Sequence, residues 1–194
     1  MDLSLKNKKI LIIDNFDSFT YNLAQLFGTI FNGKTVVKRS NKIDINLITE
    51  FDAIVLSPGP QRPKDHPINS EVIKRYYQSK PILGICLGMQ CINEVFQGKT
   101  VYSPKPMHGK TSLISHSAKN LFKDIPQNIS VARYHSLMCK LTTNDFTMDS
   151  IFENDIVMAI THKKYPIFGI QFHPESFMTE YGNKIVENFI EHIK

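Results

Sequence analysis

Three short strings carry residue types that together would make an acyl-transfer site. Gly84-Ile85-Cys86-Leu87-Gly88 sets a cysteine between two glycines. It follows the apolar run Pro81-Ile82-Leu83 and precedes a helix-like segment. This is the strand, tight turn and helix that expose a nucleophile, with Cys in place of Ser. The glycines matter because a sharp turn strains the backbone and leaves no room for side chains beside the nucleophile. The following helix would point its N-terminus at the sulfur and favour thiolate over thiol. Gln171-Phe172-His173-Pro174-Glu175-Ser176 supplies a base and a carboxylate to orient it. Pro174 pushes His173 into extended geometry, where residues two apart point the same way. Glu175 then takes the imidazole N–H and fixes its tautomer. Cys86, His173 and Glu175 thus make a candidate Cys-His-Glu triad.

Ser57-Pro58-Gly59-Pro60 is the third string. Its prolines stiffen a loop in which Gly59 exposes a backbone N–H. With the N–H of Leu87, just after the nucleophile, this makes a candidate oxyanion hole. Gln90 lies one helical turn beyond Cys86 and faces the same side, where its amide can hydrogen-bond a substrate. Cys91 shares a helix face with Val95 and reads as core, and Cys139 as a buried thiol without a motif. His108, His135 and Ser136 have no chemistry assigned from first principles. No His, Cys, Asp or Glu spacing suits a metal, and nothing calls for a cofactor.

These residues need a scaffold, and the pattern of the chain describes one. Ile10–Ile13, Val36-Val37, Ala53–Leu56 and the run into Cys86 read as buried strands. Between them lie helical faces: Leu23, Leu26, Phe27, Ile30 and Phe31; Val72, Ile73, Tyr76 and Tyr77; then Cys91, Ile92, Val95 and Phe96, stopped by Gly98. Continuous apolar strands alternating with helices indicate an α/β fold, an open and mostly parallel sheet with helices on both faces. Residues 99–172 change character. Ile129–Ala132, Ile156–Ile160 and Phe168–Ile170 are strand-like with few helical patterns, so antiparallel additions to the sheet are expected there. A last helix carries Ile185, Val186, Phe189, Ile190 and Ile193. In such sheets ligands bind beyond the carboxyl ends of the strands. Asp14, the Ser57–Pro60 loop, Cys86 and His173 all fall at those ends.

At 194 residues, with 42% apolar content, the chain reads as one domain over 1–194. The polar, basic opening from Met1 to Lys9 excludes a signal peptide and a membrane span. Three cysteines with no Cys-x-x-Cys pair fit a reduced, cytoplasmic setting. The net charge of +5 is scattered, without aromatic interleaving, and reads as solvated surface rather than a nucleic-acid site.

Nearly the whole chain resembles the class I, triad-type glutamine amidotransferases. Within them it is similar to the small glutaminase subunits of anthranilate synthase and aminodeoxychorismate synthase. The triad strings carry the broad likeness. Asp17-Ser18-Phe19-Thr20-Tyr21-Asn22 and Arg133-Tyr134-His135-Ser136-Leu137 narrow it to chorismate-aminating enzymes. The resemblance implies that Cys86 attacks the side-chain amide of L-glutamine, with His173 shuttling protons and Glu175 orienting it. It implies that Gly59 and Leu87 hold the oxyanion and that Gln90, Ser136 and Leu137 help bind glutamine. The Asp14–Asn22 loop and His108-Gly109-Lys110 would lie toward the partner, a chorismate-using synthase subunit (component I) expected as a separate chain. The sequence does not choose between the anthranilate and aminodeoxychorismate partners, or one subunit serving both. Two other readings stand beside this one. A stand-alone γ-glutamyl hydrolase or peptidase of related fold shares the nucleophile turn and the histidine, but has no need of the Asp-Ser-Phe-Thr-Tyr-Asn string. A silent binding subunit has no need of a complete triad. The chain departs from the family at Gln61, where glycine is usual, and at Met89, where histidine is frequent. Because Pro60 and Pro63 already limit the loop, Gln61 is expected to take a conformation open to any residue, its side chain toward solvent.

Overall fold

The computed structural model describes residues 5–153 and 156–193; the first residues of the polar opening segment lie outside it. Among the described residues nine strands form a sheet in the order β2-β1-β3-β4-β9-β8-β7-β5-β6. The parallel half contains β1 (Lys9–Asp14), β2 (Lys34–Arg39), β3 (Ala53–Leu56), β4 (Ile82–Ile85) and β9 (Ile167–Ile170). The antiparallel half contains β5 (Lys99–His116), β6 (Ile129–Lys140), β7 (Phe146–Phe152) and β8 (Ile156–His162), joined through the β8–β9 pair. The expected parallel sheet and antiparallel additions are both present, but Phe168–Ile170, expected among the additions, pairs parallel with β4 and only its other edge is antiparallel, to β8.

Strand alternation divides the core between two faces. Ile10, Ile12, Ala53, Val55, Leu83 and Ile85 pack with Leu23 and Phe27 of α1 (Thr20–Ile30) and Ile185, Val186 and Phe189 of α4 (Gly182–Ile190). Leu11, Ile13, Ile54, Leu56 and Ile82 face the other way. They meet Val72 and Ile73 of α2 (Pro67–Tyr76) and Met89, Cys91 and Ile92 of α3 (Leu87–Val95). Both faces of β1, β3 and β4 are thus covered, which is why their runs are almost wholly apolar, whereas the edge strand β2 is only partly buried and carries Lys34, Lys38 and Arg39. Cys91 and Cys139 are both buried in the second cluster, and burial pushes the Cys91 thiol up to about 12.

Two strands, β5 and β7, were not expected, and β6 runs beyond its expected span. β5 runs for 18 residues, with Tyr102 and Leu113 exposed at 74% and 66%. Its partner β6 extends eight residues past Ala132. The β5–β6 ladder breaks register between Tyr102 and Met107 and again between His108 and Lys110. Such irregularities bend a ribbon and leave residues unpaired. Ser136 faces the first break, between the pairs formed by His135 and Leu137, so its backbone is free to face the neighbouring cleft.

Candidate active site

The parallel strands β1, β3, β4 and β9 end side by side, so the loops after them converge. Cys86 joins β4 directly to α3 with φ 51° and ψ −102°. A non-glycine residue at positive φ costs on the order of 1–3 kcal/mol, so neighbours must hold it. Its N–H donates to Ile170 O at 2.8 Å, and its own carbonyl accepts the Gln90 N–H at 3.1 Å. The flanking glycines have steric causes. A Cβ on Gly84 would lie 2.4 Å from the Gly88 carbonyl carbon, and one on Gly88 would lie 2.5 Å from Leu56 O. The Gln90 N–H is the first in α3 to find an intrahelical acceptor, so the first-turn N–H groups, Leu87's included, open toward the sulfur's side.

His173 is buried and follows β9. Its Nδ1 lies 2.8 Å from Glu175 Oε1, and the Glu175 side chain is fully buried. The expected pair exists, but not through an extended segment. Ser176 N–H donates to His173 O at 3.3 Å, and Thr179 Oγ1 donates to the same carbonyl at 2.6 Å. Residues 173–176 therefore make a turn that folds Glu175 back onto the ring. Proline suits such a turn as well as a strand, so Pro174 alone does not distinguish them. Edge contacts from Tyr134 and Phe19, with centroids at 5.0 and 6.0 Å, fix the imidazole plane. Burial alone would lower the His173 pKa. Interaction with the Cys86 sulfur and with Glu175 outweighs it and raises the imidazole to about 10. The arrangement therefore favours the imidazolium form of His173 beside the Cys86 sulfur.

Gly59 is pressed between two other loops. A Cβ there would meet Asn15 Cβ and Leu87 Cδ2, each at 2.7 Å. Asn15 is wholly buried and wired to the same loop, its N–H donating to Ser57 Oγ and its Nδ2 to Ser57 O. Asn69 Nδ2 in turn donates to Asn15 Oδ1 at 2.9 Å. Asn15 and Asn69 are supports that sequence reasoning missed. Asn15 sits inside the Asp14–Asn22 string, but nothing in its type or spacing told a buried brace from a surface loop.

A cleft of about 370 Å³ opens above the sulfur. Gly59, Cys86, Gln90, Ser136 and Leu137 all line it; His173 and Glu175 do not. Arg62 and Tyr102 form its rim, the guanidinium 4.9 Å from the ring centroid. Gln90 Nε2 donates to Leu137 O at 3.4 Å and to Gln171 Oε1 at 3.2 Å. Ser136 Oγ pairs with His108 Nε2 at 2.8 Å, tying the pocket wall to β5.

Gln61 requires a correction. Its φ is +67°, in the left-handed region, so the conformation is not one that any residue adopts equally. It also lines the cleft rather than pointing only to solvent. Proline at 60 and 63 limits its neighbours without setting its own φ. Gln61→Gly is therefore expected to raise stability by up to about 1 kcal/mol, relief of positive φ outweighing the freer unfolded chain. Because Gln61 is largely solvated, KM for glutamine should stay within about threefold. Thermal unfolding and glutamine kinetics check both, and a tenfold fall in KM would mean that the side chain obstructs the cleft.

Comparison with known proteins agrees with this geometry. Residues 11–193 match the family described as glutamine amidotransferase class-I. The chain is 45% identical over 186 residues to aminodeoxychorismate/anthranilate synthase component 2 of Bacillus subtilis, covering 94% of this chain and 95% of that protein. It is 44% identical to anthranilate synthase component 2 of Cyanophora paradoxa, covering 93% and 97%. Among solved structures it superposes on a putative GMP synthase subunit of Thermoplasma acidophilum with TM-score 0.86 and 28% identity, covering 96% and 94%. With the nucleophile turn, the His–Glu pair and the cleft in one place, the match across both halves of the sheet leaves one conclusion: the chain belongs to the class-I glutamine amidotransferases.

Proposed function

We propose that the chain is the glutaminase subunit of a chorismate-aminating enzyme. It hydrolyses L-glutamine through a thioester on Cys86 and delivers ammonia to a separate synthase subunit that makes anthranilate or aminodeoxychorismate. The observation that carries the reading is the juxtaposition of a strained, cleft-facing cysteine with a buried His173–Glu175 pair. The names of the relatives support the partner. They weigh against a stand-alone hydrolase. The continuous nine-stranded sheet supports reading 1–194 as one amidotransferase domain.

In this reading the Cys86 thiolate attacks the carboxamide carbon of glutamine. The N–H groups of Gly59 and Leu87 hold the oxyanion. His173 gives its proton to the leaving nitrogen, ammonia departs, and a thioester remains. His173 then takes a proton from water, which attacks the thioester and releases glutamate. Gln90, Ser136 and Leu137 bind the substrate. No cofactor takes part. The cytoplasm suits the three free cysteines. Among the described residues no helix is long and apolar enough to cross a membrane.

Uncoupled hydrolysis would waste glutamine, and ammonia freed into neutral water becomes ammonium, which is not nucleophilic. The Asp14–Asn22 segment, the loop after β1 and the first turn of α1, offers a route for control. Phe16 and Tyr21 are exposed at its surface, while Phe19 packs on His173. Glutamine hydrolysis by the purified chain is expected to be low and to rise about ten- to hundredfold when the synthase and chorismate bind. Full activity in the lone chain would refute the gating. Absence of glutamine hydrolysis even in the complex would refute the function.

A further inference from the structure

A chain of hydrogen bonds runs from the buried core of the antiparallel half to the sulfur, and its direction is fixed. The carbonyl oxygen of Leu137 can only accept. Two groups approach it, His135 Nδ1 at 2.8 Å and Gln90 Nε2 at 3.4 Å, so both must donate. The Gln90 amide nitrogen also lies 3.2 Å from the Gln171 amide, and the atom facing it must then be the Gln171 oxygen. That leaves the Gln171 Nε2–H pointing at the Cys86 sulfur, 3.4 Å away. Turning the Gln171 amide round would set its nitrogen against the Gln90 nitrogen, two donors facing each other, and turning Gln90 as well would set its oxygen against Leu137 O, either at a cost of about 1–3 kcal/mol.

The far end explains an otherwise costly group. Arg133 is wholly buried, and no carboxylate among the described residues pairs with it. Its Nε–H donates to His135 Nε2 at 3.0 Å, its Nη1 reaches Ser112 Oγ at 3.2 Å, and its guanidinium lies 4.4 Å from the Phe152 ring centroid. Arginine has no acceptor, so its bond to Nε2 requires that nitrogen to be bare and puts the ring proton on Nδ1. Burial, and then the Arg133 charge, lower the His135 pKa to about 4, which keeps the ring in this neutral tautomer.

We infer that Gln171 is a further catalytic residue. Its amide, held donor-first by Gln90 and Leu137, touches the reacting sulfur and stabilises it as thiolate, and His135 and Arg133 are positioning residues behind it. The inference builds on the proposed function in taking Cys86 as the nucleophile. The other groups facing the sulfur are His173, with Glu175 behind it, and Cys139 across the core, and a Gln171 substitution leaves them in place.

Alkylation of Cys86 by iodoacetamide, followed against pH, reads the thiolate without needing glutamine. Gln171→Met keeps the volume and removes the donor. Its alkylation midpoint is expected to rise by about one pH unit, so that below the midpoint alkylation slows about tenfold. Glutaminase kcat should fall about tenfold while KM stays within about threefold. An unchanged midpoint with reduced turnover would overturn the inference and leave Gln171 a packing residue. If Gln171→Met does not fold, the test passes to His135→Leu, where Gln171 remains but its lock is broken. The midpoint must rise there too, while His135→Asn, which restores a donor to Leu137, should return it toward the parent. No shift in His135→Leu overturns the inference. If the unmodified chain hydrolyses no glutamine in the synthase complex, the proposed function falls while the alkylation profile still decides the Gln171 contact.

Discussion

Cys86→Ser is expected to abolish glutamine-dependent amination by the complex, by at least about a thousandfold, and to leave ammonia-dependent amination unchanged. Serine keeps the shape of the side chain and its place at the turn, so the strained backbone and the cleft persist. What goes is the easily formed thiolate, because a hydroxyl beside His173 has no comparable anionic form near neutrality. The synthase needs only ammonia, which free ammonia in solution supplies. Measuring both activities on the same purified complex separates chemistry from assembly. Loss of both in an intact complex would refute the division of labour between the two chains.

His173→Ala is expected to lower kcat/KM for glutamine by about a thousand- to ten-thousandfold, and Glu175→Ala by about ten- to a hundredfold. Glu175 acts through the imidazole, by orienting it and helping to hold its proton. The double substitution should therefore match His173→Ala rather than the product of the two losses. The pH profile gives a separate check. With His173 raised to about 10, the proton that it donates to the leaving nitrogen is present below that value and lost above it. The basic limb of kcat/KM should thus fall near pH 10 in the parent chain. Removing the carboxylate in Glu175→Gln withdraws part of what raises the imidazole, so the limb should move to lower pH. Multiplicative losses in the double variant, or a limb that does not move, would mean that Glu175 works independently of the histidine.

What could be read in the sequence and what could not divides along physical lines. The central parallel strands β1, β3 and β4 were legible because both their faces are buried, and burial writes continuous apolar runs. The nucleophile turn was legible because Gly84 and Gly88 record close backbone approaches that no other residue permits. β5 was hidden because most of it is exposed. A ribbon solvated on both sides needs no alternation, and its partner lies across a gap in sequence that propensity does not bridge. The Glu175 pairing was anticipated for the wrong local reason, since an extended segment and a turn both place residues 173 and 175 together. Gln61 misled because Pro60 and Pro63 restrict themselves and the residues before them, Gly59 and Arg62, and leave the φ of Gln61 unset. Arg133, His135 and Gln171 were inside recognised strings, yet their joint role depends on which atom donates. That is decided by residues up to 85 positions apart.

The backbone at Cys86 sets folding and chemistry against each other at a single position. A glycine there would relieve the left-handed strain, so the best residue for the fold is not the one that works. Strain therefore works against the nucleophile, opposed by the packing of its buried side chain in the core. A lineage able to draw on free ammonia would be free to replace it with another small residue, and could lose glutamine use while the scaffold, the cleft and the partner surface endured. The cysteine is kept only by the need for a captive supply of nitrogen.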